Sequence, residues 1–178
     1  ESVLTADELC GAFSEATGKG NNNPYLMHLV VRKGNDYFLY VYNAYSSSLA
    51  NDPLTLKTVI PIPAEVGHKA AVWFGAFSVR YGFYAIGNRI MKFDYLNITQ
   101  FAPEEKPFRL YDDKYEIVDV FVLIAGTALS DKDDCTVVYL YDREKKTTTI
   151  DVYNTVTGED LHTYEDILPG RGVEFIKK

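Results

Sequence analysis

Three histidines, two cysteines and 25 acidic residues are the groups in this 178-residue chain that could do chemistry, and their spacing decides how much. His28, His68 and His162 each stand alone. No His-Glu-x-x-His, no closely spaced cysteine pair and no Gly-x-Ser-x-Gly occurs, so neither zinc hydrolysis nor a nucleophile elbow has a motif to rest on. A lone histidine in such a chain reads as core or surface filler. The densest acidic run is Ser130-Asp131-Lys132-Asp133-Asp134. Asp131, Asp133 and Asp134 are candidate calcium ligands, because that ion takes carboxylate oxygens. The glycine and closing glutamate of an EF-hand loop are missing, so a solvated turn is the plainer reading. Asp112-Asp113 and Asp94 read as turn residues. Glycoside hydrolysis needs two carboxylates facing each other at a set separation, and the spacing nominates no such pair. Gly18-Lys19-Gly20 lacks the phosphate-loop pattern. Cys10 and Cys135 lie far apart in no metal-ligand spacing, and two separate thiols are a plainer reading than a bridge. No catalytic residue and no cofactor is expected.

Aromatic residues are the better clue to binding. Trp73, the single tryptophan, precedes Tyr81 and Tyr84. Exposed, these rings would offer flat apolar faces to a sugar. The competing reading places them in the core; it is the stronger one, more so for Trp73 than for Tyr81, which stands next to Gly82 at a turn.

A net charge of −7 with scattered basic residues argues against nucleic acid, which is held by clustered Lys and Arg. No run approaches the ~20 apolar residues that span a bilayer, and no signal-peptide pattern opens the chain. Asn97-Ile98-Thr99 fits the N-glycosylation pattern, which matters only in a eukaryotic secretory setting. A hydrophobic fraction of 47% excludes a disordered chain, and the 14 Tyr and 10 Phe suit pleated, half-buried surfaces.

The elements that would position these residues come as repeated hairpins. Leu26 to Arg32 turns through Lys33-Gly34-Asn35-Asp36 into Tyr37 to Asn43. Gly82 to Ile86 turns through Gly87-Asn88 into Arg89 to Tyr95. Thr136 to Tyr141 turns through Asp142 to Lys146 into Thr147 to Tyr153. Gly-Asn between apolar runs is a direct hairpin signal, since both residues tolerate positive φ. A further strand follows each hairpin: Leu56 to Ile62, Pro107 to Tyr111, and Leu161 to Ile167. A more apolar run comes next: Ala70 to Phe77, Ile117 to Gly126, and Gly172 to Ile176. Tyr42, Phe93 and Tyr153 recur 51 and then 60 residues apart, a period that marks stacked repeats.

These patterns predict an all-β fold of antiparallel four-stranded repeats, a partial β-propeller of about three blades, with a β-sandwich as the alternative. The repeats fall at 25–77, 78–126 and 127–178, after a leader at 1–24. Within the leader, the capping-box spacing of Thr5-Ala6-Asp7-Glu8 predicts a short helix over Leu9 to Ala16. Propellers close with ~4 to 8 blades, so three repeats are expected to be part of a longer ring.

The hairpin Tyr84-Ala85-Ile86-Gly87-Asn88-Arg89-Ile90-Met91-Lys92-Phe93-Asp94 resembles one in the PKD-like lipoproteins of Bacteroidetes bacteria. Tyr139-Leu140-Tyr141, Asp151-Val152-Tyr153-Asn154 and Thr157-Gly158-Glu159 resemble that family's last blade, and Gly170 to Phe175 is similar to its closing strand. The likeness covers residues 25–178 through moderately specific motifs. It implies a larger exported protein, with an immunoglobulin-like region before a propeller, at the outer membrane or cell surface. It implies partners among polysaccharide-uptake proteins or glycans, and no catalytic residues. Membrane attachment would come only through a lipid anchor outside this chain, since Cys10 is not in a lipid-attachment context. The expected function is a non-catalytic binding or scaffolding module, with a purely structural segment or a glycoside-active enzyme as alternatives.

Overall fold

A computed structural model of the chain describes residues 6–16, 25–44, 55–67, 71–75, 81–94, 100–123, 125 and 132–171. They form three four-stranded antiparallel sheets. The first contains β1 (Glu8–Ala16), β2 (Tyr25–Lys33), β3 (Asp36–Ala44) and β4 (Thr55–Ile62), followed by the short helix α1 (Ala64–Gly67). The second contains β5 (Val72–Gly75), β6 (Tyr81–Ile86), β7 (Arg89–Asp94) and the two-residue β8 (Arg109–Leu110). The third contains β9 (Tyr115–Leu123), β10 (Cys135–Asp142), β11 (Thr147–Asn154) and β12 (Asp160–Pro169). Each sheet runs in chain order from one edge to the other.

The three expected hairpins form where their turn chemistry places them. Gly34 and Gly87 take φ of 59° and 61° at the two tight turns, and Lys146 takes 60° at the end of the longer third one. Only residues that tolerate the left-handed region can close such turns without splaying the strands. Asp142 organises the third turn, accepting hydrogen bonds from the Glu144 and Lys145 amides at 2.9 and 3.0 Å.

Two expectations change. Residues 9–16 are not a helix but part of β1, paired with β2 from Glu8↔Arg32 to Ala16↔Tyr25. An N-cap is worth about 1 kcal/mol, and Gly11 removes a similar amount from any helix containing it. Pairing along β2 and the burial of Phe13 outweigh that local preference. The second change concerns grouping. The apolar run at 72–75 pairs with β6, and the run at 115–123 pairs with β10, so each apolar strand begins the sheet of the hairpin that follows it. The strand expected at Gly172 to Ile176 lies outside the described residues.

The sheets stack in series. Calling the side that faces the next sheet in sequence the front, Val30, Leu39 and Ile60 on the front of the first sheet meet Trp73, Tyr84 and Phe93 on the back of the second. Phe74, Phe83 and Ile90 on the front of the second meet Val138, Leu140 and Tyr153 on the back of the third. The middle sheet is therefore apolar on both faces and covered on both, one sheet more than a two-layer sandwich has. The first strands lie next to one another, β1 beside β5 and β5 beside β9. Two smaller clusters cover the ends of the stack, around Tyr40 and Tyr42 on the back of the first sheet and around Val137 and Val152 on the front of the third.

Candidate functional site

The best-developed polar cluster lies where the edge of the second sheet meets the third. Arg109 on β8 projects onto β11 and β12. Its Nη2 donates to Asp151 Oδ2 at 2.8 Å, while Nη1 donates to the Gly158 carbonyl at 2.9 Å and pairs with Asp160 Oδ1 at 2.6 Å. The Tyr111 hydroxyl donates to the same Asp151 oxygen at 2.6 Å, and the Thr163 hydroxyl donates to Oδ1 at 3.1 Å. The guanidinium lies over the Tyr153 ring, 4.6 Å from its centroid, which suits its planar, weakly hydrated charge.

Electrostatics follow from that arrangement. Burial pushes the Tyr111 hydroxyl well above the usual tyrosine range, and the adjacent Asp151 charge adds to it. For Arg109, burial disfavours the charge, but Tyr111, Asp160 and Asp151 together outweigh it and hold the group protonated more firmly than usual. The Arg109 and Asp151 side chains are 15% and 6% exposed. Both oxygens of the carboxylate accept hydrogen bonds, and both terminal nitrogens of the guanidinium donate them. A general acid or base must exchange a proton near working pH, and neither Tyr111 nor Arg109 is placed to do so. Chemically the cluster is a clamp that ties β8 to β11 and β12.

The sequence pattern overlooked this cluster. Its one visible signal is Asp151, a charged residue on the face of β11 that also carries Tyr153, where strand alternation calls for an apolar side chain. Partners 40 and 42 positions away leave no local trace.

The aromatic candidates separate. Trp73 and Tyr84 pack against each other, ring centroids 5.1 Å apart, and are 6% and 4% exposed. Both belong to the core between the first and second sheets, together with Phe93 and Phe101. Tyr81 lies on the other face of β6, half-buried against the second core, with Lys92 Nζ 3.9 Å from its ring centroid. The three rings share no surface.

Of the acidic candidates, Asp131 lies outside the described residues. Asp133 accepts a hydrogen bond from Asn154 Nδ2 at 3.0 Å. Asp134 is buried; its carboxylate accepts from the Ala125 amide at 3.0 Å and its carbonyl from the Thr155 amide at 2.9 Å. Both act as loop ties around the start of β10. Among the described residues no three His, Cys, Asp or Glu side chains gather as a metal site would require. His28 is fully buried and stacked on Phe13 at 4.3 Å, His162 stands beside Tyr164 on β12, and His68 lies outside the described residues. Cys10 packs against the first core and Cys135 belongs to the front of the third sheet, so the two occupy different clusters. A hollow of about 330 Å³ lies between the β2–β3 turn and the end of β4, lined by Asn35, Tyr37, Pro61 and Ala64 among others. It contains no convergent set of charged groups.

No protein-family model matches the chain, and no curated protein matches it.

Proposed function

We propose that the chain is a non-catalytic scaffolding module, three consecutive blades of a β-propeller that present or brace a larger assembly. The observation that carries this reading is the front-to-back order of the three sheets, with their first strands side by side. Repeated antiparallel sheets stacked with one constant sense are the building plan of a propeller. The absence of a catalytic role is supported by the Arg109–Asp151 clamp, whose groups are committed to joining two sheets. Scaffolding is favoured over glycan binding by the burial of Trp73 and Tyr84, which withdraws two of the three candidate platform rings from solvent. Fold alone does not choose a role.

The hairpin at 84–94 supports placing the protein at a bacterial cell surface, as an exported lipoprotein anchored through a lipid outside this chain and serving an uptake system. Calorimetry of the chain against a panel of host and plant polysaccharides, with product analysis on the same mixtures, tests the reading. Neither heat of binding nor hydrolysis is expected. Saturable sugar binding would replace the scaffold reading with the glycan-binding one, and turnover would replace both.

A further inference from the structure

Among the described residues, β4, β8 and β12 are the last strands on one side of the three sheets, and no strand pairs beyond them. An edge strand offers a row of N–H and C=O groups to any extended segment that reaches it. These edges offer apolar side chains as well, since Val59 on β4, Leu110 on β8, and Tyr164, Ile167 and Leu168 on β12 are exposed. An added strand would therefore gain both a ladder and apolar contacts.

Each edge is interrupted, by different means. On β4, Val41 pairs with Thr58 but Tyr42 with Leu56, so that exposed Lys57 is inserted as a bulge. Further along, Pro61 stands opposite Phe38. Proline has no N–H, and an edge strand holds it where that N–H would point away from the sheet. In the second sheet the outer strand is two residues long. Before it, the chain meets β7 at an isolated bridge, Phe93↔Pro103. Exposed Glu104, Glu105 and Lys106, then Pro107, lie between that bridge and β8.

On β12 the interruption is largest. Thr148 pairs with Leu168 and Ile150 with Tyr164, so Glu165, Asp166 and Ile167 stand opposite Thr149 alone. Asp166 takes a φ of 51°, a conformation that aspartate tolerates better than most residues. Its amide donates to Thr149 Oγ1 at 3.3 Å, and its carboxylate accepts from Thr147 Oγ1 at 2.7 Å and Lys145 Nζ at 2.9 Å. The backbone donor is thus turned back into its own sheet where an incoming strand would need it. A second bulge inserts Leu161 between His162 and Asp160, and Pro169 ends the strand.

Bulges, inserted charges, prolines and very short outer strands are the means by which sheets discourage strand addition. We infer that the outer edges of all three sheets are made to refuse an added strand, so that neither a second copy of this chain nor an extended peptide of a partner lengthens a sheet there.

Sedimentation velocity on straightened chains, each beside wild type at the same concentration, tests this. One chain lacks Glu165 and Asp166, which leaves Ile167 opposite Thr149; another lacks Lys57 and carries Pro61→Val. Each should self-associate about tenfold or more tightly than wild type. Pro61→Val alone changes one exposed side chain, keeps the fold, and should show the same change in smaller measure. Asp166→Gly preserves the positive φ and should behave as wild type. Hydrogen exchange separates strand addition from loss of the fold. Strand addition protects amides of the altered edge, whereas unfolding exposes those of the buried Val30 and Val138. Pro61→Val and straightened chains that unfold cooperatively yet associate no more than wild type would overturn the inference. So would a wild type whose β4 or β12 amides gain protection as its concentration rises.

Discussion

Gly11 on β1 and Trp73 on β5 approach so closely that a Cβ at position 11 would stand 2.8 Å from Trp73 Cδ1. The neighbouring atom belongs to a broad indole ring, itself packed against Tyr84 and Phe93, and cannot swing aside. The irregularity in pairing at Leu9/Gly11 falls at the same point, where the first strands of two sheets meet. Gly11→Ala should therefore act as overpacking, costing about 1–3 kcal/mol as a drop in urea midpoint with little change in slope.

Trp73 offers its own reporter, since it is the single tryptophan. It lies in the apolar core, and its Nε1 has no hydrogen-bond partner among the described residues. Native fluorescence should be blue-shifted and poorly quenched by acrylamide, and polysaccharides should leave it unchanged. Trp73→Ala should cost about 3–5 kcal/mol. A red-shifted, easily quenched native spectrum would show that the ring is solvent-facing after all.

What the sequence made legible follows the range of the interactions. Gly87-Asn88 announces its hairpin because the cause, a turn needing positive φ, is local. The alternating aromatics of Tyr37 to Asn43 likewise declare a strand. β1 was hidden because its local signals, the capping spacing before Leu9, point to a helix, whereas the partner that decides the matter is β2. For Trp73 and Tyr81 the face each ring takes depends on which sheet lies opposite, and a single strand carries no record of that. The Arg109–Asp151 clamp is the extreme case, because neither residue is unusual until the second and third sheets come together.

That clamp should behave as a buried ion pair rather than a surface one. Arg109→Met leaves the Asp151 charge buried with Tyr111 and Thr163 as its remaining contacts. Breaking a buried pair from one side costs about 3–5 kcal/mol. Adding Asp151→Asn to the same chain removes the stranded charge and should recover part of the loss, so the two effects are not additive. Thermal unfolding of the single and double variants measures this. Equal stability of Arg109→Met and wild type would reduce the clamp to a surface contact.

The pH dependence of stability should carry the signature of His28. Burial lowers its pKa from the ordinary 6.5 to about 3, only partly opposed by a backbone contact from Phe13, with Lys57 lowering it further. Between those two values the unfolded chain binds a proton at this position that the folded chain does not. Unfolding is therefore favoured as pH falls. The slope is about 1.4 kcal/mol per pH unit once the unfolded imidazole is charged. Glu116, Asp142 and Asp166 have pKa values lowered chiefly by hydrogen bonds from Arg171, the Lys145 backbone and Thr147 respectively. Their stabilising contributions are present at neutral pH and fade only as the pH falls through the carboxylate range. Between pH 6.5 and about 5.5 the histidine is therefore the main contributor among these four groups. Urea titrations across that interval should show stability falling for the wild-type chain and nearly level for His28→Leu, which keeps an apolar group against Phe13. An unchanged slope in that variant would assign the acid sensitivity to another residue.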